Sequence, residues 1–251
     1  MAKSLALITG ASRGIGNSLA CAFAEDGFNI VAVARDGEKL EQLAEKLKRE
    51  HGTKVIPITV DLTDNIATAT QIEAVLSKEK QLDVLIHCAG IFRFGTGDLS
   101  VADFELMLRT NAIAAHNITK ISLHYLRQAK KAHIFAVASI AGMEPFAPVG
   151  GYAASKHALV GYARSIARQE ILNGIRTTVI CPDVVNTEMA SGSGMTPEQM
   201  IKSEDIVRAA RFAMSLSDAA TLETITIGCR PVHGSIRHQL LSLIHISEPT
   251  R

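Results

Sequence analysis

The 251-residue chain carries 26 Lys and Arg against 25 Asp and Glu, a formal net charge of +1, and 47% of its residues are hydrophobic. That balance offers no electrostatic footprint for nucleic acid or an anionic membrane surface. A 4% aromatic content without Trp argues against a base-stacking platform.

The first apolar run, SLALIT at residues 4–9, reads as a buried strand, and residues 15–26 as a helix. NIVAVAR (29–35) is a second strand. The helix that follows puts Leu40, Leu43, Ala44 and Leu47 on one face and charges elsewhere. KVIPITV (54–60), LDVLIHC (82–88), AHIFAVAS (132–139) and RTTVICP (176–182) are further strands, and LETITIG (222–228) is the last. Ser100 and Asp103 mark one helix start. Thr196-Pro197-Glu198-Gln199 has capping-box spacing with Pro at the first helical position. The stretch GGYAASKHALVGYARSIARQE, from Gly150, reads as a helix with Tyr152 and Lys156 one turn apart on the same face.

Near-continuous apolar strands, each followed by a helix, imply a parallel sheet covered on both faces. The expected fold is α/β: a single-domain, doubly wound Rossmann-type sheet of about seven strands with helices on both faces. The domain is expected to span residues 1–240. The last residues, LSLIHISEPTR (241–251), resemble the translation of a transposase adapter used in DNA-sequencing libraries and are expected to be foreign to the domain. The cysteines Cys21, Cys88, Cys181 and Cys229 form no C-x-x-C pair. They are expected to be reduced and mostly buried, as in a cytoplasmic protein. The N-terminus shows no secretory h-region, and no apolar run is long enough to span a membrane. The histidines show no ligand spacing, so no catalytic metal is expected.

Ligands of such sheets bind beyond the carboxyl ends of the strands. The first strand ends in TGASRGIG, which brings Gly10, Ser12, Arg13, Gly14, Ile15 and Gly16 to a strand-to-helix turn. Glycines permit a tight turn and close approach of backbone N–H groups to a phosphate, and the helix N-terminus adds partial positive charge. The second strand ends at Ala34-Arg35, where an NAD-type fold offers an acid to the ribose 2′-hydroxyl. Arg35 and Arg13 instead suit a 2′-phosphate, which favours NADP over NAD. Asp36 is the counter-candidate for the ribose.

These motifs, in order, resemble the short-chain dehydrogenase/reductase family from Lys3 to Gly228. Asp61-Leu62 after the third strand look like its adenine-contacting pair. HCAG (87–90) stands in place of its N-N-A-G and leaves the Ala89-Gly90 backbone available. Asn111 falls in the following long helix, Ser139 at the end of the fifth strand, and Tyr152-x-x-x-Lys156 in the next helix. CPDVVNTEM (181–189) resembles the P-G-x-V-x-T loop around the nicotinamide, with Pro182, Val185 and Thr187 as cofactor contacts.

The resemblance implies a cofactor, NADPH, and a catalytic set of Asn111, Ser139, Tyr152 and Lys156. Lys156 places a positive charge near the Tyr152 hydroxyl, which favours the phenolate and suits that group to acid–base work. Tyr152 would protonate a carbonyl oxygen held by Ser139. Lys156 would also hold the nicotinamide ribose, and Asn111 would support a water-linked proton path. The expected activity is NADPH-dependent reduction of a ketone, aldehyde or 3-oxoacyl group; the alternative is a non-catalytic NADP-binding regulator on the same fold. The expected partners are a small carbonyl or alcohol substrate and copies of the chain itself, in a homotetramer or homodimer. Asp183 replaces the family's Gly, and a left-handed backbone that Asp tolerates, with the carboxylate turned to solvent or bonded to nearby backbone, is the expected reason; the alternative is a substrate contact or a charge that stabilises the oxidised nicotinamide. His157 reads as a surface residue, and Tyr125 and Tyr162 as packing residues.

Overall fold

The computed structural model describes residues 3–230, so the adapter-like segment 241–251 lies outside the described residues. The chain runs through β1 (Leu5–Thr9), α1 (Gly14–Glu25), β2 (Asn29–Ala34), α2 (Gly37–His51), β3 (Val55–Thr59), α3 (Asn65–Glu79) and β4 (Val84–His87). It continues through α4 (Val101–Leu108), α5 (Ala114–Leu126), β5 (Ala132–Val137), α6 (Gly150–Glu170), β6 (Ile175–Pro182), α7 (Ser203–Ser215) and β7 (Thr224–Ile227). The strands form one parallel sheet of seven in the order β3-β2-β1-β4-β5-β6-β7. The order reverses between β1 and β4, which opens the crevice that such sheets use for ligands.

Alternation along each strand divides the core between the two faces. Ala6 and Ile8 of β1, with Ile30, Ala32 and Ala34 of β2, meet Leu19 and Phe23 of α1, Leu40 of α2 and Ile206 of α7. Leu5 and Leu7, with Val31 and Val33, meet Ile72 and Leu76 of α3 and Ile118 and Leu126 of α5. Because both faces are covered, every residue of β1, β4 and β5 is buried.

Two departures from the expected elements matter for the site. The long helix carrying Asn111 is not uniform: α4 and α5 are joined by a π-helical turn, Arg109–Ile113, in which Asn111 is buried. Such turns disturb the regular ladder and re-aim side chains. The capping box at Thr196 and Gln199 is formed, yet it closes only a single 3-10 turn, Pro197–Gln199. Met200 leaves that turn extended because Ile201 bridges Val185: the Ile201 N–H donates to the Val184 carbonyl at 3.0 Å and the Asn186 N–H to the Ile201 carbonyl at 2.8 Å.

No helix among the described residues is long and apolar enough to cross a membrane. The four cysteines are free thiols, with Cys181 and Cys229 buried and Cys21 and Cys88 half-buried.

Candidate active site

The turn after β1 is set by contacts that only glycine permits. A Cβ on Gly16 would stand 2.2 Å from the Gly10 carbonyl oxygen, so the turn could not close on a larger residue. Gly10 adopts φ +70° and meets the Ala89 backbone. Helix α1 then begins without a side-chain cap at Arg13 and without an acid in its first turn. Its first N–H groups therefore keep their capacity to bind an anion. Thr9, at the end of β1, ties this turn to the neighbouring strand end: its hydroxyl accepts the Cys88 N–H at 3.0 Å and the Ala89 N–H at 3.1 Å.

A cleft of about 870 Å³ runs over these strand ends. The expected cofactor residues Gly10, Ser12, Arg13, Gly14, Ile15, Gly16, Arg35, Asp61, Leu62, Ala89, Gly90 and Thr187 all line it. Pro182, Val185, Tyr152 and Lys156, also expected to contact the cofactor, are not in its lining: Pro182 pairs with Ile227 in the sheet, Val185 is buried in the core, and Lys156 lies behind Gly90. Pro182 and Val185 shape the loop that carries Thr187. Asp36 reaches the cleft but is occupied as the N-cap of α2, where it accepts the Lys39 N–H at 3.1 Å. Asp61 folds back onto its own turn, and the Thr63 N–H and hydroxyl hold its carboxyl below the usual range.

The 3-10 turn Ile140–Gly142, which follows Ser139, packs directly on α6, the helix that carries Tyr152 and Lys156. A Cβ on Gly142 would stand 2.9 Å from the Lys156 carbonyl oxygen. The Ser139 hydroxyl accepts the Ala141 N–H at 3.1 Å, which leaves its own proton to donate. Lys156 is 4% exposed, and its ammonium donates to the Val137 carbonyl at 3.0 Å. The ammonium lies 5.7 Å from the centre of the Tyr152 ring. Asn111 is spent on positioning: Oδ1 accepts the Ile91 N–H at 2.8 Å, and Nδ2 donates to the Ile91 carbonyl and to the Ser155 hydroxyl, both at 2.9 Å. Gly90 joins this group to the cleft, since a Cβ there would lie 3.3 Å from Asn111 Oδ1 and 3.5 Å from Lys156 Nζ. A small cavity of about 10 Å³, room for one water, lies between Thr9, His87 and Asn111.

The residues replacing two asparagines are structural. Burial pushes His87 down to about 4, so the ring is neutral, and its Nε2 meets the Thr119 hydroxyl at 2.8 Å. Burial pushes the Cys88 thiol up to about 12 against the pull of Lys156, which holds it as an inert thiol.

Sequence reasoning missed three contributors: Thr9, Glu188 and Phe92. Thr9 carried a signal in its place directly before the glycine turn. Glu188 carried none; it pairs with Arg13 at 2.6 Å across the cleft mouth. Phe92 packs its ring against Tyr152, with centroids 5.0 Å apart.

A family model described as short chain dehydrogenase matches residues 4–197. The chain belongs to that family of oxidoreductases. It is similar to the oxidoreductase UcpA of Escherichia coli strain K12, at 34% identity over 74% of this chain and 70% of the relative. Its structure is similar to a beta-ketoacyl-[ACP] reductase (FabG) from Bacteroides thetaiotaomicron, with TM-score 0.81, 33% identity and coverage of 93% of this chain and 99% of that one. It is also similar to a short chain dehydrogenase from Burkholderia cenocepacia J2315 in complex with NADP, with TM-score 0.81, 28% identity and coverage of 90% and 96%.

Within this family, Asp183 stands where Gly is usual, and the structure corrects the backbone conformation expected for it. Among the described residues Lys80 is the one non-glycine with positive φ, so Asp183 is not left-handed. Its carboxylate clamps two strand ends. Oδ1 accepts the Val184 N–H at 3.0 Å, and Oδ2 accepts the Cys229 N–H, beyond β7, at 3.2 Å. Asp183→Gly is therefore expected to act on stability, lowering it by about 1–2 kcal/mol, or about 2–8 °C in Tm. Thermal unfolding of the two proteins measures the shift. An unchanged Tm would show that the clamp carries no energy.

Proposed function

We propose that this short-chain dehydrogenase is an NADPH-dependent reductase that converts a carbonyl group (ketone, aldehyde or 3-oxoacyl) to an alcohol. The observation that carries the reading is the buried Lys156 ammonium, fixed on Val137, under the Tyr152 ring and beside Gly90 of the cleft. A structural lysine has no need of burial behind Gly90 of a ligand cleft and beside a phenol. That arrangement disfavours a purely regulatory binding role.

The glycine turn and the uncapped α1 suit a pyrophosphate, and Arg13 and Arg35 suit a 2′-phosphate. The NADP complex of the Burkholderia relative supports the same cofactor. When bound, the nicotinamide supplies the hydride. Ser139 donates a hydrogen bond to the carbonyl oxygen and orients it. Tyr152 transfers its hydroxyl proton to that oxygen as the alcohol forms. The Lys156 charge stabilises the phenolate left behind. Lys156 has donors left, beyond the one on Val137, for the ribose hydroxyls. The one-water cavity beside Asn111 supports a water-linked route that returns the proton.

Spectrophotometric NADPH oxidation with a panel of ketones, aldehydes and 3-oxoacyl thioesters tests the reading. Turnover of at least one class is expected, and none at all would overturn it. NADPH is expected to bind about ten- to hundredfold more tightly than NADH, since one charge-assisted hydrogen bond is worth about 1.5–3 kcal/mol. Arg13 must leave Glu188 to make that contact. The cost is small, because both partners are more than half exposed and such pairs contribute about 0–1 kcal/mol. Direct titration of both cofactors gives the two dissociation constants, and equal values would refute the role of Arg13 and Arg35.

A further inference from the structure

We infer that the substrate pocket beside Tyr152 is built for a carbonyl compound with a flat apolar ring attached next to the reacting carbon. The inference rests on the reductase reading above and names the substrate class of that site. Three aromatic rings stand in a row. Phe92 meets Tyr152 edge-to-face at 5.0 Å and 70°, and Phe94 meets Phe92 edge-to-face at 4.7 Å and 85°. These are the favoured geometries for aromatic packing, and the row ends on the proton donor.

The row is held in register with α6, the helix that carries Tyr152. The Gly95 N–H donates to the Pro148 carbonyl at 2.8 Å, and the Gly151 N–H donates to the Gly95 carbonyl at 3.3 Å. The Thr96 hydroxyl donates to the Ala147 carbonyl and accepts the Gly150 N–H at 2.9 Å. The segment bearing the two phenylalanines is therefore stitched to the first turn of α6, and its rings are preorganised relative to the Tyr152 hydroxyl.

Exposed apolar side chains flank the cleft: Phe94 stands outside its lining and reaches it through Phe92. Phe94 is 64% exposed, Met189 49% and Leu106 37%. Phe92, Leu106 and Met189 all line the cleft. Clustered exposed apolar side chains at the mouth of a cleft mark a ligand surface. The cation nearest in sequence, Arg93, also lines the cleft, but its guanidinium donates to the Phe92 carbonyl at 2.9 Å and lies 3.6 Å from Asp103. Arg13 and Arg35 belong to the glycine-turn side. Among the described residues the cations near Tyr152 are Arg93, drawn to Asp103, and Lys156, buried on Val137, so this end of the cleft presents mainly rings and aliphatic groups.

The test compares two diketones that differ only in the ring, 1-phenyl-1,2-propanedione and 2,3-butanedione, as substrates of the full chain with NADPH. The phenyl compound is expected to have a kcat/KM higher by about tenfold or more, the scale of discrimination that an apolar pocket achieves. Phe94→Ala, at an exposed position that folding does not need, and Phe92→Leu, which keeps apolar volume, are each expected to lower that ratio by about fivefold. A merely structural defect lowers both rates alike and leaves the ratio unchanged, which would overturn the inference. So would equal kcat/KM values for the two diketones, with butanedione turnover still upholding the reductase reading. If neither compound is reduced, that reading is in question, and calorimetric titration of acetophenone into the NADP⁺-containing protein decides the inference alone. Binding weakened about fivefold by Phe94→Ala supports it. Absent binding, or binding indifferent to Phe94, overturns it.

Discussion

Tyr152→Phe is expected to lower kcat by about 10²–10⁴-fold, the usual contribution of a positioned general acid. NADPH affinity should stay within about twofold of the parent value, because the lost hydroxyl acts on the carbonyl in the transition state. Phe retains the ring that packs against Phe92 and over which the Lys156 ammonium lies. The variant removes the hydroxyl and keeps the ring, so neither the fold nor the cleft should change. Single-turnover rates with saturating NADPH separate this chemical effect from product release. A variant that keeps more than about a tenth of the parent single-turnover rate would remove Tyr152 from the proton-transfer step.

Arg127→Ala is expected to cost about 3 kcal/mol of stability, the lower end of the range for breaking a buried ion pair. Arg127, just beyond α5, donates Nε and Nη2 to Glu170 at 2.9 and 2.5 Å, and Glu170 sits at the end of α6 with no exposed surface. Arg127 is itself 43% exposed, which places the cost at the low end. Without it the carboxylate would keep only Gln169 at 2.7 Å and Asn173 at 2.9 Å. A Tm lower by about 6–12 °C is the expected reading.

The pair also predicts a pH dependence. The Arg127 hydrogen bonds hold Glu170 down to about 2 from an ordinary 4.5. Between those values the unfolded chain binds more protons at this residue than the folded one. The stabilisation is therefore fully present above about pH 4.5 and is lost as the pH falls toward 2. Arg127→Ala should flatten the acid limb of the stability curve. An acid limb unchanged in the variant would refute the linkage.

Much of the site was legible as one-dimensional pattern. Strand runs of alternating or continuous apolar residues marked the sheet to within a residue or two, since burial on both faces leaves little freedom in composition. The glycine turn was legible because Gly16 admits no side chain against Gly10, a restriction written directly into residue type. For Asp183 the carboxylate's bond to adjacent backbone was legible, but the left-handed backbone expected with it is not there. The family's Gly suggested a backbone angle, whereas the residue acts through a carboxylate bonded to Cys229, a partner 46 positions away. The short turn at Thr196 was misjudged for a similar reason: the local capping signal is real, but a bridge from Ile201 to Val185 overrides helix propagation.

The sequence by itself determined the parallel α/β fold, the glycine turn, the pairing of Tyr152 with Lys156 and the absence of an acid at Ala34. Each is a matter of residue type at short, regular spacing. Only the tertiary structure decided what these residues face. It buried Lys156 against Val137, closed Ser139 onto α6 through Gly142, spent Asn111 on Ile91 and Ser155, set Glu188 against Arg13, and laid Phe92 on Tyr152. These contacts join segments far apart in the chain. They arise from how the crossovers bring strand ends to one edge of the sheet, and no local pattern encodes that convergence.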